Sequence, residues 1–191
     1  MGALLLGLVL FLGMHSARIV ADDARTRFIA QRGEGLWKGL YTLVSALGLA
    51  LIVWGYGQAR AHPTPLWTSP VWARHLALAL TLVAFVLLAA AYVPRNGIKA
   101  RLHHPMVLGV KTWALAHLLA NNTLADVLLF GGFLAWAVLS FRAARARDRA
   151  AATVYGAGST SGTATAVVVG VVAWAAFTFW GHAALIGVKP F

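Results

Sequence analysis

Apolar residues fall into six long runs, and polar residues are confined to the stretches between them. The runs extend from about Ala3 to Val20, Leu36 to Tyr56, Val71 to Val93, Pro105 to Ala120, Thr123 to Phe141 and Ala164 to Val188. Spans of roughly 20 residues match a hydrocarbon core of about 30 Å. The pattern therefore predicts an all-α, polytopic transmembrane bundle of about six helices, forming one domain over residues 1–191. Punctuation agrees with it. Pro70 opens the third run and Pro94 closes it, while Pro105 suits the first turn of the fourth, where a backbone N–H has no partner to lose. The linker GQARAHPTPLWTSP is an extended loop. Asn121 and Asn122 make a tight turn, with Thr123 as an N-cap. In the second run Gly39, Ser45, Gly48 and Gly55 are small enough for a neighbouring helix to approach closely.

Composition strengthens the membrane reading. The 191 residues are 60% hydrophobic and 11% charged, with a mean hydropathy of +0.75. Sixteen Lys and Arg against five Asp and Glu give a net charge of +11, which in a soluble protein would point to nucleic acid. Here the cations lie in loops, so they encode orientation and no nucleic-acid partner is expected. The loops after the first, third and fifth runs carry Arg25, Arg27, Arg32 and Lys38, then Arg95, Lys99 and Arg101, then Arg142, Arg145, Arg147 and Arg149. The loop after the second holds Arg60, and that after the fourth holds none. By the positive-inside rule both termini face away from the cytoplasm. No basic residue precedes the first apolar run, so it reads as a retained membrane helix and not a cleaved secretory signal. The absence of cysteine excludes disulfides, iron–sulfur clusters, thiolate nucleophiles and covalent haem attachment. No internal repeat is evident.

Polar side chains at membrane depth carry the candidate chemistry, because each costs several kcal/mol (about 2–7) unless paired or ligated. The stretch HHPMVLGVKTWALAHLLANN, residues 103–122, is the densest in them, with His103, His104, Lys111 and His117. Four histidines lie where water is scarce: His15, His75, His117 and His182. His15 shares a helical face with Leu8, Phe11 and Arg18; His117 shares one with Val110, Trp113 and Asn121. A b-type haem needs this combination of imidazole, apolar or aromatic wall and a cation such as Arg18 for a propionate. The plainer reading makes each histidine a hydrogen-bonded packing residue. Zinc and soft metals are disfavoured by the scarcity of carboxylates. Asp126 caps the fifth helix or pairs with a cation. Gly170, Trp174, Thr178 and His182, spaced four apart, form a packing stripe or line the same cavity, with His75 also towards the outer side. His103 and His104, at the cytoplasmic mouth of the fourth run, are expected to contact solvent or lipid headgroups, with gating of a substrate entrance as the lesser alternative.

Depth sets a condition on pairing His15 with His117. His15 lies about 18 Å below the outer face and His117 about 6 Å below the Asn121 turn, at 1.5 Å per residue. A sunken turn or tilted helices would close the gap; a turn flush with the surface on upright helices would favour His75 or His182 as second ligand.

The motifs HSARI at 15–19, GLWKGLY at 35–41 and HPMVLGVKTWALAHLLAN at 104–121 resemble the NnrU family of bacterial membrane proteins, over essentially the whole chain. The HS and AH elements are also similar to those of the plant and cyanobacterial 15-cis-zeta-carotene isomerase, a homologue of that family. The resemblance implies a multi-pass protein of the bacterial inner membrane. It also implies a haem b whose two histidine ligands correspond to His15 and His117. Related methyltransferases carry a basic residue immediately before HP, where this chain has His103, with Arg101 two positions earlier.

Three function classes follow. The resemblance implies a haem-b protein supporting nitrogen-oxide metabolism, alongside a nitrite or nitric oxide reductase system. An enzymatic alternative is a haem-dependent cis–trans isomerase of a carotenoid or another hydrophobic polyene substrate. A third is a transporter or assembly factor without a cofactor, ranked last for want of duplicated, broken helices.

Overall fold

The structure is a computed structural model and describes residues 1–190. Its elements are α1 (Gly2–His15), α2 (Ala17–Val20), α3 (Asp22–Arg32), α4 (Glu34–Ala61), α5 (Val71–Tyr92), α6 (Gly97–Leu102), α7 (Pro105–Ala120), α8 (Leu124–Ala150), α9 (Thr160–Ala176) and α10 (His182–Ile186). A π-helical turn, Phe177–Gly181, joins α9 to α10. All six apolar runs are helical. Among the described residues four helices are long and apolar enough to cross a membrane: α4, α5, α8 and Thr160–Ile186, which comprises α9, the π turn and α10. The other two are shorter, α1 with 14 residues and α7 with 16, or about 21 and 24 Å.

The chain forms two compact units. The first contains residues 1–67 and 122–143. Here α1 packs against α4 with almost no side-chain spacing. A Cβ on Gly7 would lie 2.6 Å from the Ile52 nitrogen, one on Gly48 would lie 2.7 Å from the Phe11 nitrogen, and Gly55 abuts Leu4. Gly39 faces open space, contrary to expectation, so it takes no part in this seam. The first half of α8 adds buried Ala125, Leu129, Phe130 and Ala137. The 122–124 turn is tied to the linker: Leu66 N–H donates to the Asn122 carbonyl at 2.8 Å and Leu124 N–H to the Thr64 carbonyl at 2.9 Å. Asn122 also donates its side-chain amide to the Trp67 carbonyl.

The second unit contains residues 68–121 and 144 onwards. Gly109 of α7 sits on Ala84 and Leu88 of α5, and Gly170 of α9 sits on Val86. Trp174 donates its indole N–H to the Thr81 hydroxyl at 3.1 Å and Thr178 is buried, so that part of the Gly170 stripe is packing. Asn96, buried, caps α6 by accepting from Lys99 N–H at 2.8 Å and donates to the Ala90 and Val93 carbonyls.

Two loops expected between the runs are shorter than anticipated, the second of them at both ends. Residues 22–32 form α3, because Asp22 and Asp23 complement its N-terminus and Gly33, at φ +88, ends it. The RAARARDRA stretch continues α8 to Ala150, since Ala and Arg are strong helix formers. Ser159 caps α9, its hydroxyl accepting from Gly162 N–H at 3.0 Å, so the helix starts at Thr160, four residues before the apolar run begins at 164.

Candidate functional site

The first run breaks at the HS motif, and the chemistry of that break positions His15. Ser16 returns its hydroxyl to the Leu12 carbonyl at 2.7 Å, a back-bond that bends helices. Beside it, His15 Nδ1 donates to the Phe11 carbonyl at 2.7 Å. Only an N–H can bond to a carbonyl, so Nδ1 carries the proton and, in the neutral ring, Nε2 carries the lone pair. The imidazole stacks on Phe11 with centroids 4.1 Å apart. Tyr41 of α4 lies at 5.0 Å and Trp136 of α8 meets the ring edge-on at 6.0 Å. Phe133 closes on Phe11 at 5.7 Å. Within the first unit His15 thus occupies an aromatic enclosure drawn from α1, α4 and α8.

His117, in the second unit, repeats the local pattern. Its Nδ1 donates to the Trp113 carbonyl at 2.9 Å, and the two rings lie 5.1 Å apart. In both cases the partner is the aromatic residue one helical turn earlier, and in both the neutral ring then carries its lone pair on Nε2. Metal-ligating histidines usually donate the other ring N–H to a carbonyl or carboxylate in this way, which fixes the tautomer and the ring orientation.

The remaining candidates have different surroundings. Arg18 is 57% exposed, and Asp22 lies 3.6 Å from its guanidinium, which gives it a partner other than a propionate. His75 is exposed on α5. His182 donates Nδ1 to the Val188 carbonyl at 2.6 Å, beyond the end of α10, and meets Phe177 edge-on at 5.8 Å. The π turn just before it interrupts the fourfold spacing that would have aligned it with Thr178. Asp126 caps α8 as expected: its carboxylate accepts from the Thr123 N–H and hydroxyl at 2.9 and 2.6 Å. It also accepts from the Tyr56 hydroxyl at 2.5 Å, a partner that spacing alone did not suggest.

His103 and His104 correct the reading that they contact solvent or lipid. Both are half-buried in a polar cluster at the opposite end of α7 from His117. His104 Nε2 donates to Asp148 at 2.8 Å, the Tyr155 hydroxyl donates to the same oxygen at 3.0 Å, and Arg145 donates to His103 Nδ1. His103 takes φ +70, unusual for a side-chain-bearing residue, to make this turn. Desolvation, reinforced by the hydrogen bond to Asp148, pushes the Tyr155 phenol above its ordinary range. Among the described residues no group of three or more His, Asp or Glu side chains is arranged to hold a bare metal ion.

Tyr41 and Trp136 were not among the sequence candidates. Tyr41 ends the GLWKGLY motif and Trp136 stands alone in an apolar run, so only the helix packing reveals that both face His15. Among known proteins, no curated protein and no solved structure matches the chain. A family model described as "NnrU protein" matches residues 3–190. Carrying several helices able to cross a membrane and matching that model over nearly its whole length, the chain belongs to the NnrU protein family.

Proposed function

We infer that this protein is a multi-pass protein of the bacterial cytoplasmic membrane, with both termini outside the cytoplasm, that binds haem b and supports nitrogen-oxide metabolism. The observation that carries the haem reading is the shared state of His15 and His117, whose Nδ1 protons are each held by a carbonyl one turn back. This fixes ring orientation, places the metal-binding lone pair of the neutral ring on Nε2 and spares the site an ordering cost on binding. In the first unit Phe11, Tyr41 and Trp136 around His15 provide flat apolar surface suited to a macrocycle, and in the second Trp113 provides such a face beside His117. Bound there, haem supplies one-electron chemistry between the ferric and ferrous states. The link to nitrite and nitric oxide reduction comes from the family, and the reductase system is its proposed partner.

Visible spectra of the protein purified in mild detergent test this reading. A b-type Soret band that shifts on reduction is expected in the wild type, and its loss or displacement in His15→Ala and in His117→Ala. A colourless wild type, or variants with unaltered spectra, would remove the ligand assignment.

A further inference from the structure

The Trp136 indole N–H is buried and has no hydrogen-bond partner. Tryptophan N–H groups usually find an acceptor when buried, and at membrane depth water does not supply one. The other orphaned polar atoms among the described residues are Asp22 Oδ1, Ser45 Oγ and Ser69 Oγ. Asp22 faces Arg18 and Arg25 at 3.6 Å, and Ser69 lies in the linker before α5. Ser45 stands one helical turn from Tyr41 on α4, on the stripe that continues through Gly48 towards α1. Two of the four orphans therefore lie on the helices that enclose His15, and Trp136 itself is edge-on to that ring at 6.0 Å.

We propose that Trp136 is a binding residue for the ligand of the His15 site, its indole N–H donating to an anionic carboxylate oxygen at that ligand's periphery. This rests on the haem reading above, in which the acceptor is a haem propionate. Arg18, the cation that sequence spacing suggested for that role, is engaged by Asp22 and largely exposed, whereas Trp136 is a desolvated donor with none of its capacity used. A hydrogen bond to a charged acceptor in a dry site is among the stronger kinds, so its loss should be measurable in how long the ligand is retained.

The test is the rate at which full-length protein in mild detergent gives up its ligand to excess apomyoglobin, for the wild type, Trp136→Phe and Trp136→His. Each is loaded either with protohaem or with protohaem dimethyl ester, whose carboxylates are blocked. Trp136→Phe should release protohaem about ten-fold faster than the wild type does. It should release the ester at the wild-type rate for the ester. Trp136→His, which keeps a ring N–H, should recover most of the retention of protohaem. Equal release of protohaem by Trp136→Phe and the wild type would overturn the proposal. So would an equal penalty with the ester, which would mean that the ring only packs. Failure of the wild type to take up either porphyrin is a different result, visible before any variant is made, and overturns the haem reading itself.

Discussion

Two regions of the molecule contain half-buried histidines and use them in opposite ways. Around His15 the ring is held by a backbone carbonyl and aromatic faces, an anchor that puts the metal-binding lone pair on Nε2. Around His103 and His104 the imidazoles are consumed by Asp148 and Arg145, with Tyr155 completing the set. Residue type and burial are alike in the two places, and what differs is the partner on the ring nitrogens. A carbonyl anchor leaves an imidazole able to bind something else, whereas a carboxylate or guanidinium partner makes it part of an internal tie between the start of α7, the end of α8 and the loop after it. The haem proposal therefore rests on the first region, whereas the second is a connection between elements.

The largest expected effect separates the two regions directly. Replacing His103 or His104 with Ala should leave the haem spectrum intact, whereas His15→Ala should abolish or displace it; parallel spectra of the three variants make the comparison. Next in size is the seam that carries His15 to its enclosure. Gly48→Leu places a side chain against the Phe11 backbone, which lies 2.7 Å from a Cβ there. It should cost about 3 kcal/mol or more, since the obstruction is main chain and cannot rotate aside. Thermal unfolding in detergent measures it, and loss of the spectrum should accompany it.

A smaller effect belongs to the polar tie. Asp148→Asn removes the charge that His104, Tyr155 and Arg145 share, so trypsin should cut near Arg147 and Arg149 a few-fold faster than in the wild type. Alkali should do the same. The Tyr155 phenol is raised in the folded chain, so its bond to Asp148 is fully present below about pH 10, the unfolded value, and is lost as pH rises through the higher folded value. Tyr155→Phe should cleave at a rate that no longer changes over that range. The smallest effect is Gly39→Ala, in open space within a helix, which should stabilise by about 0.5–1 kcal/mol.

Gly39 and Gly48 also mark the limit of what the sequence discloses. Both stand in the same apolar run, and only the neighbour that packs there decides which one is needed. Signals confined to one segment were readable: Pro105 marks the first residue of α7, and the apolar runs give the six main helices. The same holds for the i−4 relation between His15 and Phe11 and between His117 and Trp113, because one helical turn suffices to create it. Contacts between distant segments were not readable. Tyr41 and Trp136 reach His15 from helices 26 and 121 residues further along the chain, and nothing in their flanking residues announces a polar role. Charge misleads where helix propensity outweighs it, as in the basic tail of α8. At the end of the sixth run a π turn alters the period that the fourfold spacing assumes.

The central claim is that the anchored imidazole of His15 ligates iron, and a cavity variant tests it most directly. His15→Gly, purified with haem and titrated with free imidazole, should show an altered spectrum that returns to the wild-type form as imidazole fills the place of the missing ring. A His15→Gly protein with the wild-type spectrum before any imidazole is added would contradict the claim.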